Sequence, residues 1–304
     1  MQVLRPQIRR HPVPPLHVGE GAFWHAAEQA FYFVDILAPT LFRLDPATDA
    51  LQSWPMPAAI GSFGLCQDQP GRARRAIVAL RTGVFLFDFA TEALTPVAAP
   101  EPDRPGNRLN DGKVGPDGRF WVGSMDDRPE KETLGALYRI DHDGTCTRML
   151  DGLIVSNGLA WSPDGQTMYH SDTRLKFLQA FDYDLATGSL SNKRVLRHFD
   201  NEQGRPDGAA MDSEGCYWSA GVSAGCINRI APDGTILQRH ELPVAAPTMP
   251  CFGGPDLKTL FVTSLRTDRL GAEEPGTVIS FPVEVAGLPG ALFGPSPIKQ
   301  ALVR

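Results

Sequence analysis

Four acidic or amide residues occupy equivalent positions in separate stretches of the sequence: Glu20, Asn110, Asn157 and Asp207. Each lies 10 or 11 residues before a run rich in aromatic and β-branched residues, and each has a glycine one or two positions after it. Carboxylate oxygens supply the negative charge that a divalent cation requires, and amide oxygens can complete its coordination shell. The four residues therefore indicate a cation site, provided that the fold brings them to one place.

The two carboxylates have an electrostatic consequence. If Glu20 and Asp207 face each other without a cation they repel, and one of them tends to stay protonated. An oxygen-rich site with two negative charges suits Ca²⁺, Mg²⁺, Mn²⁺, Zn²⁺ or Fe²⁺. Three protein ligands would leave coordination positions open for water and substrate, as in a catalytic centre. No histidine occurs at these positions, and we expect His25, His170 and His198 at the surface or in the core.

Each of these motifs taken alone has a simpler interpretation. Asn-Gly and Asp-Gly are common hairpin turns, and Pro206-Asp207-Gly208 looks like the turn signal Pro116-Asp117-Gly118. The distance to the following apolar run distinguishes a ring residue from a turn, because Asp117 lies 3 residues before its run whereas Asp207 lies 10 residues before its own. Four matches at one position favour a functional ring over four unrelated turns.

The apolar runs that follow these residues define an internal repeat. They begin 45, 44, 48, 49 and 43 residues apart and cover 31–36, 76–81, 120–125, 168–173, 217–222 and 260–265. A second strand-like run follows each of them within a few residues. Thirty glycines and 27 prolines are spread along the chain, which is typical of many short strands. A repeat of 40 to 50 residues with several strands per unit is typical of a β-propeller.

We therefore predict an all-β fold, a six-bladed β-propeller of four-stranded antiparallel blades, as a single domain over residues 1–304. A β-sandwich is the alternative, but sandwiches do not usually repeat one internal order six times. We expect the six runs to be the innermost strands, with the ring residues in the loops that lead into them. Residues 2–9 are expected to add a strand to the last blade and close the ring.

Composition and charge exclude several classes of function. The 304 residues carry a formal charge of −6, which argues against a nucleic-acid-binding protein because phosphate contacts need a basic face. No apolar run approaches the roughly 18 residues needed to span a bilayer, and the first residues lack the apolar stretch of a secretory signal. We therefore expect a soluble, cytoplasmic protein that contacts neither membranes nor nucleic acid and has no obligate protein partner.

At these residues the chain resembles the SMP-30/gluconolactonase family, which includes regucalcin and bacterial sugar lactonases. The matching stretches extend over nearly the whole chain: GEGAFW at 19–24, NRLNDGK at 107–113, PDGRFWVGSM at 116–125, SNGLAWSPDG at 156–165, RPDG at 205–208 and PCFGG at 250–254. The resemblance implies a six-bladed propeller with one catalytic divalent metal ion.

The resemblance also assigns roles to residues. It implies that Glu20, Asn157 and Asp207 bind the metal, that Arg108 and Asn110 bind substrate, and that Asp207 is the general base. Arg108 lies two positions before Asn110, so its side chain should share the same face; a surface salt bridge is its alternative role. Some family members also have a substrate-contacting Glu in the loop here spanning 126–134, where the alignment does not decide between Glu130 and Glu132.

The predicted activity is metal-dependent hydrolysis of a sugar lactone to its aldonic acid. The metal would polarise the carbonyl, and Asp207 would accept the proton of the attacking water. Two alternatives remain: a phosphotriesterase or paraoxonase-like hydrolase on the same fold, and a metal-binding regulatory propeller without turnover.

Overall fold

A computed structural model describes residues 1–68, 71–268, 271 and 273–295. The described residues contain 25 β-strands, numbered in chain order, and no α-helix. The strands form six sheets, the blades, around a central channel. The predicted all-β, six-bladed propeller is therefore confirmed.

Each of the first four blades takes its four strands consecutively from the chain. Blade 1 contains β3–β6, which are Gly19–His25, Ala30–Asp35, Thr40–Asp45 and Ala50–Pro55. Blade 2 contains β7–β10, which are Ile60–Leu65, Arg75–Leu80, Gly83–Asp88 and Leu94–Ala98. Blade 3 contains β11–β14, which are Asn107–Val114, Phe120–Asp126, Gly135–Ile140 and Cys146–Leu153. Blade 4 contains β15–β18, which are Ser156–Trp161, Thr167–Asp172, Phe177–Asp184 and Ser189–His198.

The N-terminal segment completes the last two blades. Blade 5 contains β19–β22, which are Pro206–Met211, Tyr217–Gly221, Cys226–Ile230 and Ile236–Glu241. Blade 6 contains β23–β25, which are Pro247–Gly253, Thr259–Ser264 and Val278–Pro282. Strand β2, Arg9–Arg10, pairs with β25 as the fourth strand of blade 6, whereas β1, Gln2–Leu4, pairs in parallel with β22.

Two details of the predicted architecture were wrong. Residues 2–4 extend blade 5 as a fifth, parallel strand, and only Arg9–Arg10 closes the last blade. The six apolar runs are the second strands of the blades, and the ring residues lie on the innermost strands themselves. The second strands are the most apolar because neighbouring blades pack on both of their faces, which buries nearly every side chain.

Six apolar clusters, one between each pair of adjacent blades, stabilise the ring. The cluster between blades 1 and 6 is typical: Phe31 lies 4.7 Å from Phe261 in a stacked arrangement, and Trp24 stacks on Phe261 at 5.5 Å between ring centroids. Such pairs contribute about 0.5–1.5 kcal/mol beyond their buried area. The outer strands are more exposed, as in β6 and β18. None of the described segments forms a helix long and apolar enough to cross a bilayer.

His240 is buried in the cluster between blades 5 and 6. Its ring lies 5.0 Å from Trp218 and 5.6 Å from Phe281, and neither ring nitrogen has a hydrogen-bond partner within the described part of the chain. Burial disfavours the imidazolium form, and the charge of Arg229 adds to this, so the pKa of His240 falls to about 4. Since the ordinary pKa of His is about 6.5, the folded protein loses stability as the pH falls from about 6.5 to about 4.

Replacing His240 by Phe should weaken the acid sensitivity of the fold. Between pH 7.5 and 4.5 the free energy of unfolding should fall by roughly 2 kcal/mol less in the variant than in the natural chain, because one buried group no longer takes up a proton on unfolding. Urea denaturation at the two pH values measures both quantities. Equal losses in the two proteins would show that His240 does not titrate differently in the folded and unfolded chains.

Candidate functional site

The predicted ring residues lie on the innermost strands of four blades. Glu20 is on β3, Asn110 on β11, Asn157 on β15 and Asp207 on β19. Glu20, Asn157 and Asp207 are the second residues of their strands and Asn110 is the fourth of eight, and all four are buried. Because the innermost strands line the channel side by side, residues at the same height on different blades face one another across its axis.

A local irregularity in each innermost strand turns these side chains into the channel. The pairing register with the second strand shifts beside every ring residue, for example between Glu20 and Phe23 and between Asn157 and Ala160. Such bulges re-aim side chains that simple alternation would send elsewhere. Gly158, next to Asn157, has φ +66°, and a Cβ atom there would collide with the Tyr217 and Ser171 hydroxyls, so the bulge requires glycine.

All five predicted site residues line one cavity of about 250 Å³ at this end of the channel. Its wall contains Glu20, Arg108, Asn110, Asn157 and Asp207, together with Val18, Ile36, Met125, Lys131, Val155, Thr173, Arg174, Arg205, Val222, Thr248 and Leu265. The sequence left the contributions of blades 2 and 6 unclear. Blade 6 provides Thr248, whereas none of residues 62–66 of blade 2 is part of the described wall. The structure thus brings the predicted residues together.

The other end of the channel has a different character. A cavity of about 300 Å³ there is lined largely by apolar side chains, among them Trp24, Trp161 and Phe252. These residues come from the later part of the same innermost strands, which places the two cavities at opposite ends. The polar groups that could do chemistry are therefore concentrated at the first end.

A chain of hydrogen bonds fixes the polar side chains of blades 3 and 4. Arg108 Nη1 donates to Asn110 Oδ1 at 2.7 Å, and Asn110 Nδ2 donates to Asn157 Oδ1 at 3.2 Å. Asn157 Nδ2 in turn donates to Thr173 Oγ1 at 2.7 Å, and the Thr173 hydroxyl donates to the Pro206 carbonyl at 2.7 Å. With its nitrogen committed to Thr173, the Asn157 amide presents its oxygen as the acceptor.

The two ring carboxylates have strongly perturbed acidities. Burial raises the pKa of Glu20 well above its ordinary value, and the charges of Asp207 and Asp111 raise it further. Burial also raises the pKa of Asp207, with a further contribution from Asp111, while Arg205 and Arg108 act in the opposite direction. At these two carboxylates, burial and the neighbouring carboxylates therefore outweigh the arginines, and both pKa values stay raised.

A third carboxylate, Asp111, lies at the axis and was not among the predicted site residues. Its Oδ2 accepts hydrogen bonds from the backbone of Gly158 at 2.8 Å and of Leu159 at 3.4 Å, so it holds the bulge that follows Asn157. Its Oδ1 is buried without a hydrogen-bond partner among the described residues. Asp111 follows Asn110 directly, and the register shift between Leu109 and Gly112 spans both residues.

The donor set fits a hard or borderline divalent cation. Glu20 and Asp207 offer carboxylate oxygens and Asn157 an amide oxygen. Burial raises the pKa of both carboxylates, nearby carboxylate charge raises it further, and a bound cation would offset both effects. No cluster of three or more His, Cys, Asp or Glu side chains suited to a metal ion occurs in the described part of the chain. The predicted ligand set contains only two such side chains, Glu20 and Asp207, because its third ligand is the amide of Asn157.

Arg108 is both ion-paired and directed at the cavity. Its Nε lies 3.2 Å from Asp127 Oδ1, and Arg81 binds the other oxygen of the same carboxylate. Arg108 thus forms a salt bridge, but its side chain is only 10% exposed, so the pair lies at the cavity wall and not at the surface, where it is compatible with substrate binding. The Asp127 pair and the bond to Asn110 fix the plane of the guanidinium.

The loop 126–134 contributes a lysine to the cavity wall. Glu132 is exposed and pairs with Arg128 at 3.1 Å, and neither Glu130 nor Glu132 belongs to the described wall. Lys131 lies on the wall, and its Nζ donates to the Asp126 carbonyl at 2.7 Å. The acidic contact that some family members make from this loop therefore has no counterpart at these positions.

Comparison with known proteins places the chain in a family. The sequence model of the SMP-30/Gluconolactonase/LRE-like region matches residues 18–266. The chain is 41% identical over 286 residues to a 6-deoxy-6-sulfogluconolactonase of Pseudomonas putida, covering 92% of this chain and 96% of that protein. It is 36% identical over 252 residues to regucalcin of Xenopus laevis, covering 81% and 83%. The chain therefore belongs to the SMP-30/gluconolactonase family.

A solved structure with the same architecture supports this assignment. The calcium-binding protein regucalcin of Agrobacterium tumefaciens superposes with a TM-score of 0.89 at 30% sequence identity, covering 97% of this chain and 99% of that one. The similarity extends over all six blades.

Proposed function

We propose that this protein hydrolyses a sugar lactone to the aldonic acid, with one divalent metal ion held by Glu20, Asn157 and Asp207. The observation that carries the proposal is the convergence of two buried carboxylates and an oriented amide oxygen beside Arg108 and Asn110 in one cavity. Membership of the family supports it, as does the similarity to a sulfogluconolactonase.

A bound divalent ion would supply Lewis-acid polarisation of the lactone carbonyl and would lower the pKa of a nearby water. The protein's own residues account for the remaining steps. Asp207 accepts one proton as the water oxygen bonds to the carbonyl carbon. The bond between that carbon and the ring oxygen then breaks, and the ring oxygen takes the proton held by Asp207 to become a hydroxyl. The product carboxylic acid ionises, so each turnover releases one proton to solvent.

Arg108 and Asn110 are proposed to orient the lactone. The guanidinium is held by Asp127 and by Asn110 Oδ1, and its Nη2 makes no hydrogen bond with a described residue. That group can donate to a hydroxyl or ring oxygen of the substrate. A planar donor held in place on two sides loses little entropy on binding, which favours orientation of the ring.

Replacing Arg108 by Ala should chiefly weaken substrate binding. The Michaelis constant should rise about tenfold or more, because a charge-assisted hydrogen bond to the lactone is lost, while kcat should change less. Steady-state kinetics by proton release measures both. Arg81→Ala is the matched control, since it removes an arginine from the same Asp127 but lies outside the described cavity wall. An unchanged Michaelis constant in Arg108→Ala would remove this residue from substrate binding.

A panel of lactones tests the proposed activity. The metal-loaded protein should release protons from five- or six-membered aldonolactones faster than spontaneous hydrolysis, and should show little activity on an organophosphate triester. The reverse preference would favour the phosphotriesterase alternative. Metal binding without turnover of any ester would favour the regulatory alternative.

A further inference from the structure

The charges on the cavity wall do not match a neutral sugar lactone. Four cationic side chains line the cavity, namely Arg108, Lys131, Arg174 and Arg205, against two carboxylates. Asp127 neutralises Arg108 at 3.2 Å. In the proposed enzyme a divalent ion balances Glu20 and Asp207, so Lys131 and Arg174 remain on the wall without an ion-pair partner among the described residues.

Lys131 is held in place by the backbone of its own loop. The loop folds around Asp126, whose Oδ2 accepts hydrogen bonds from Arg128 Nη2 at 2.8 Å and from the Glu132 backbone at 2.9 Å. Lys131 Nζ donates to the carbonyls of Asp126 at 2.7 Å and Arg128 at 3.4 Å. It forms no ion pair with a described residue. The ammonium thus has a fixed position and at least one donor left for a ligand.

Arg174 approaches the cavity from the neighbouring blade. It follows Thr173, the residue that orients Asn157, and its backbone nitrogen donates to Asp172 Oδ1 at 2.9 Å. The turn is therefore anchored next to the ring, yet the guanidinium pairs with no carboxylate in the described part of the chain. Burial lowers the pKa of Lys131, and the positive charges of Arg108 and Arg174 lower it further, while Asp127 and Asp126 act in the opposite direction. Like charges kept this close indicate a site for an anion.

We propose that the natural lactone carries a sulfonate or phosphate group on its exocyclic carbon, bound by Lys131 and Arg174 with Arg205 adding to the field. This proposal rests on the proposed lactonase function and specifies its substrate class. Arg108, Asn110 and the carboxylates take the ring end of the substrate, which leaves the cations of blades 3 and 4 for a remote substituent. Arginine and lysine donors match the oxygens of a tetrahedral anion, whereas a hydroxymethyl group would leave them without a charged partner.

The test compares three substrates that differ only at the exocyclic carbon: D-glucono-1,5-lactone, its 6-phosphate and its 6-deoxy-6-sulfo derivative. With the metal-loaded protein at about 150 mM salt, at least one acidic lactone should exceed the neutral one by roughly 30-fold or more in kcat/KM, mainly through a lower Michaelis constant. The better of the two acidic substrates identifies the anion. Equal or better hydrolysis of the neutral lactone would overturn the substrate proposal alone, whereas no hydrolysis of these three or of any lactone in the panel above would overturn the proposed function.

Variants connect the preference to the named side chains. Lys131→Ala and Arg174→Ala should each lower the ratio of acidic to neutral kcat/KM by about tenfold or more. Arg194→Ala is the matched control, because this substitution changes the net charge by the same amount. Arg194 is on the outer strand of blade 4, where it pairs with Asp182 at 2.7 Å. An equal fall of the ratio in the control would show a general charge effect and would overturn the assignment to the cavity wall. An unchanged ratio of acidic to neutral kcat/KM in both Lys131→Ala and Arg174→Ala would also overturn the assignment to the cavity wall.

Discussion

Replacing Asp207 by Asn should lower kcat for lactone hydrolysis by about a thousandfold or more. The substitution keeps the size of the side chain but removes both a negative metal ligand and the proposed proton acceptor, and general-base catalysis alone contributes typically about 10²–10⁴-fold. The measurement is steady-state proton release from the best lactone, with metal supplied in excess so that a weaker affinity does not limit the rate.

The fold should tolerate this change. Burial raises the pKa of Asp207, so in the metal-free protein the protonated form of this side chain favours the folded state. The stability that the proton provides is lost as the pH rises through the raised pKa, because the buried side chain must then carry a charge. The Asn variant has no such charge and should unfold at the same temperature as the metal-free natural chain or higher.

A matched control is available within the same blade. Asp233 occupies another Pro-Asp-Gly sequence, but it is exposed and its Oδ1 only caps a turn by accepting from the Thr235 backbone at 2.8 Å. Asp233→Asn should hydrolyse lactone at the natural rate. If Asp207→Asn also retained a near-natural rate, Asp207 would have no part in the reaction.

Removal of divalent metal should reduce hydrolysis to below about 1% of the loaded enzyme. Glu20 and Asp207 repel each other without a cation, and the reaction as proposed needs the carbonyl polarised. Dialysis against a chelator followed by titration with Ca²⁺, Mg²⁺, Mn²⁺ or Zn²⁺ should restore the rate at about one equivalent of the preferred ion.

The same experiment in Glu20→Gln separates a specific site from a general requirement for salt. Loss of one negative ligand should raise the metal concentration that restores half of the activity by roughly tenfold or more. Circular dichroism of the chelated protein shows whether the propeller remains folded. Full activity in excess chelator, with metal content far below one equivalent, would contradict a metal-dependent reaction.

The architecture was predictable because the repeated apolar runs follow directly from how the blades pack against one another. A blade buries both faces of its second strand, so the runs at 31–36 and 120–125 are apolar in every position, and their spacing counts the blades. Their identity as second strands was missed for the same reason, because an apolar run does not reveal its distance from the axis. The parallel pairing of Gln2–Leu4 with β22 depends on contacts more than 200 residues apart and left no local pattern.

The candidate site was predictable where a residue stood at the repeated position and not elsewhere. Glu20 and Asp207 were predicted from their position in the repeat. Asp111 was not, because neighbouring residues of a regular strand point to opposite faces and Asn110 already occupied the channel face. The register shift between Leu109 and Gly112 turns both side chains toward the channel. Thr173 directly follows the second strand of blade 4, and its role depends on a hydrogen bond from Asn157 that the spacing of residues does not encode. Lys131 belongs to a loop without any repeat. The single domain over 1–304, the cytoplasmic location and the absence of an obligate protein partner stay predictions.

The proposed reaction depends most directly on a metal ion at the mouth of the channel. Crystals of the protein equilibrated with Mn²⁺ and measured near the manganese absorption edge should show one strong anomalous peak, with oxygens of Glu20, Asn157 and Asp207 within about 2.0–2.6 Å of it. A map with no peak there, and with the three side chains turned away from a common point, would contradict the metal site and the hydrolysis built on it.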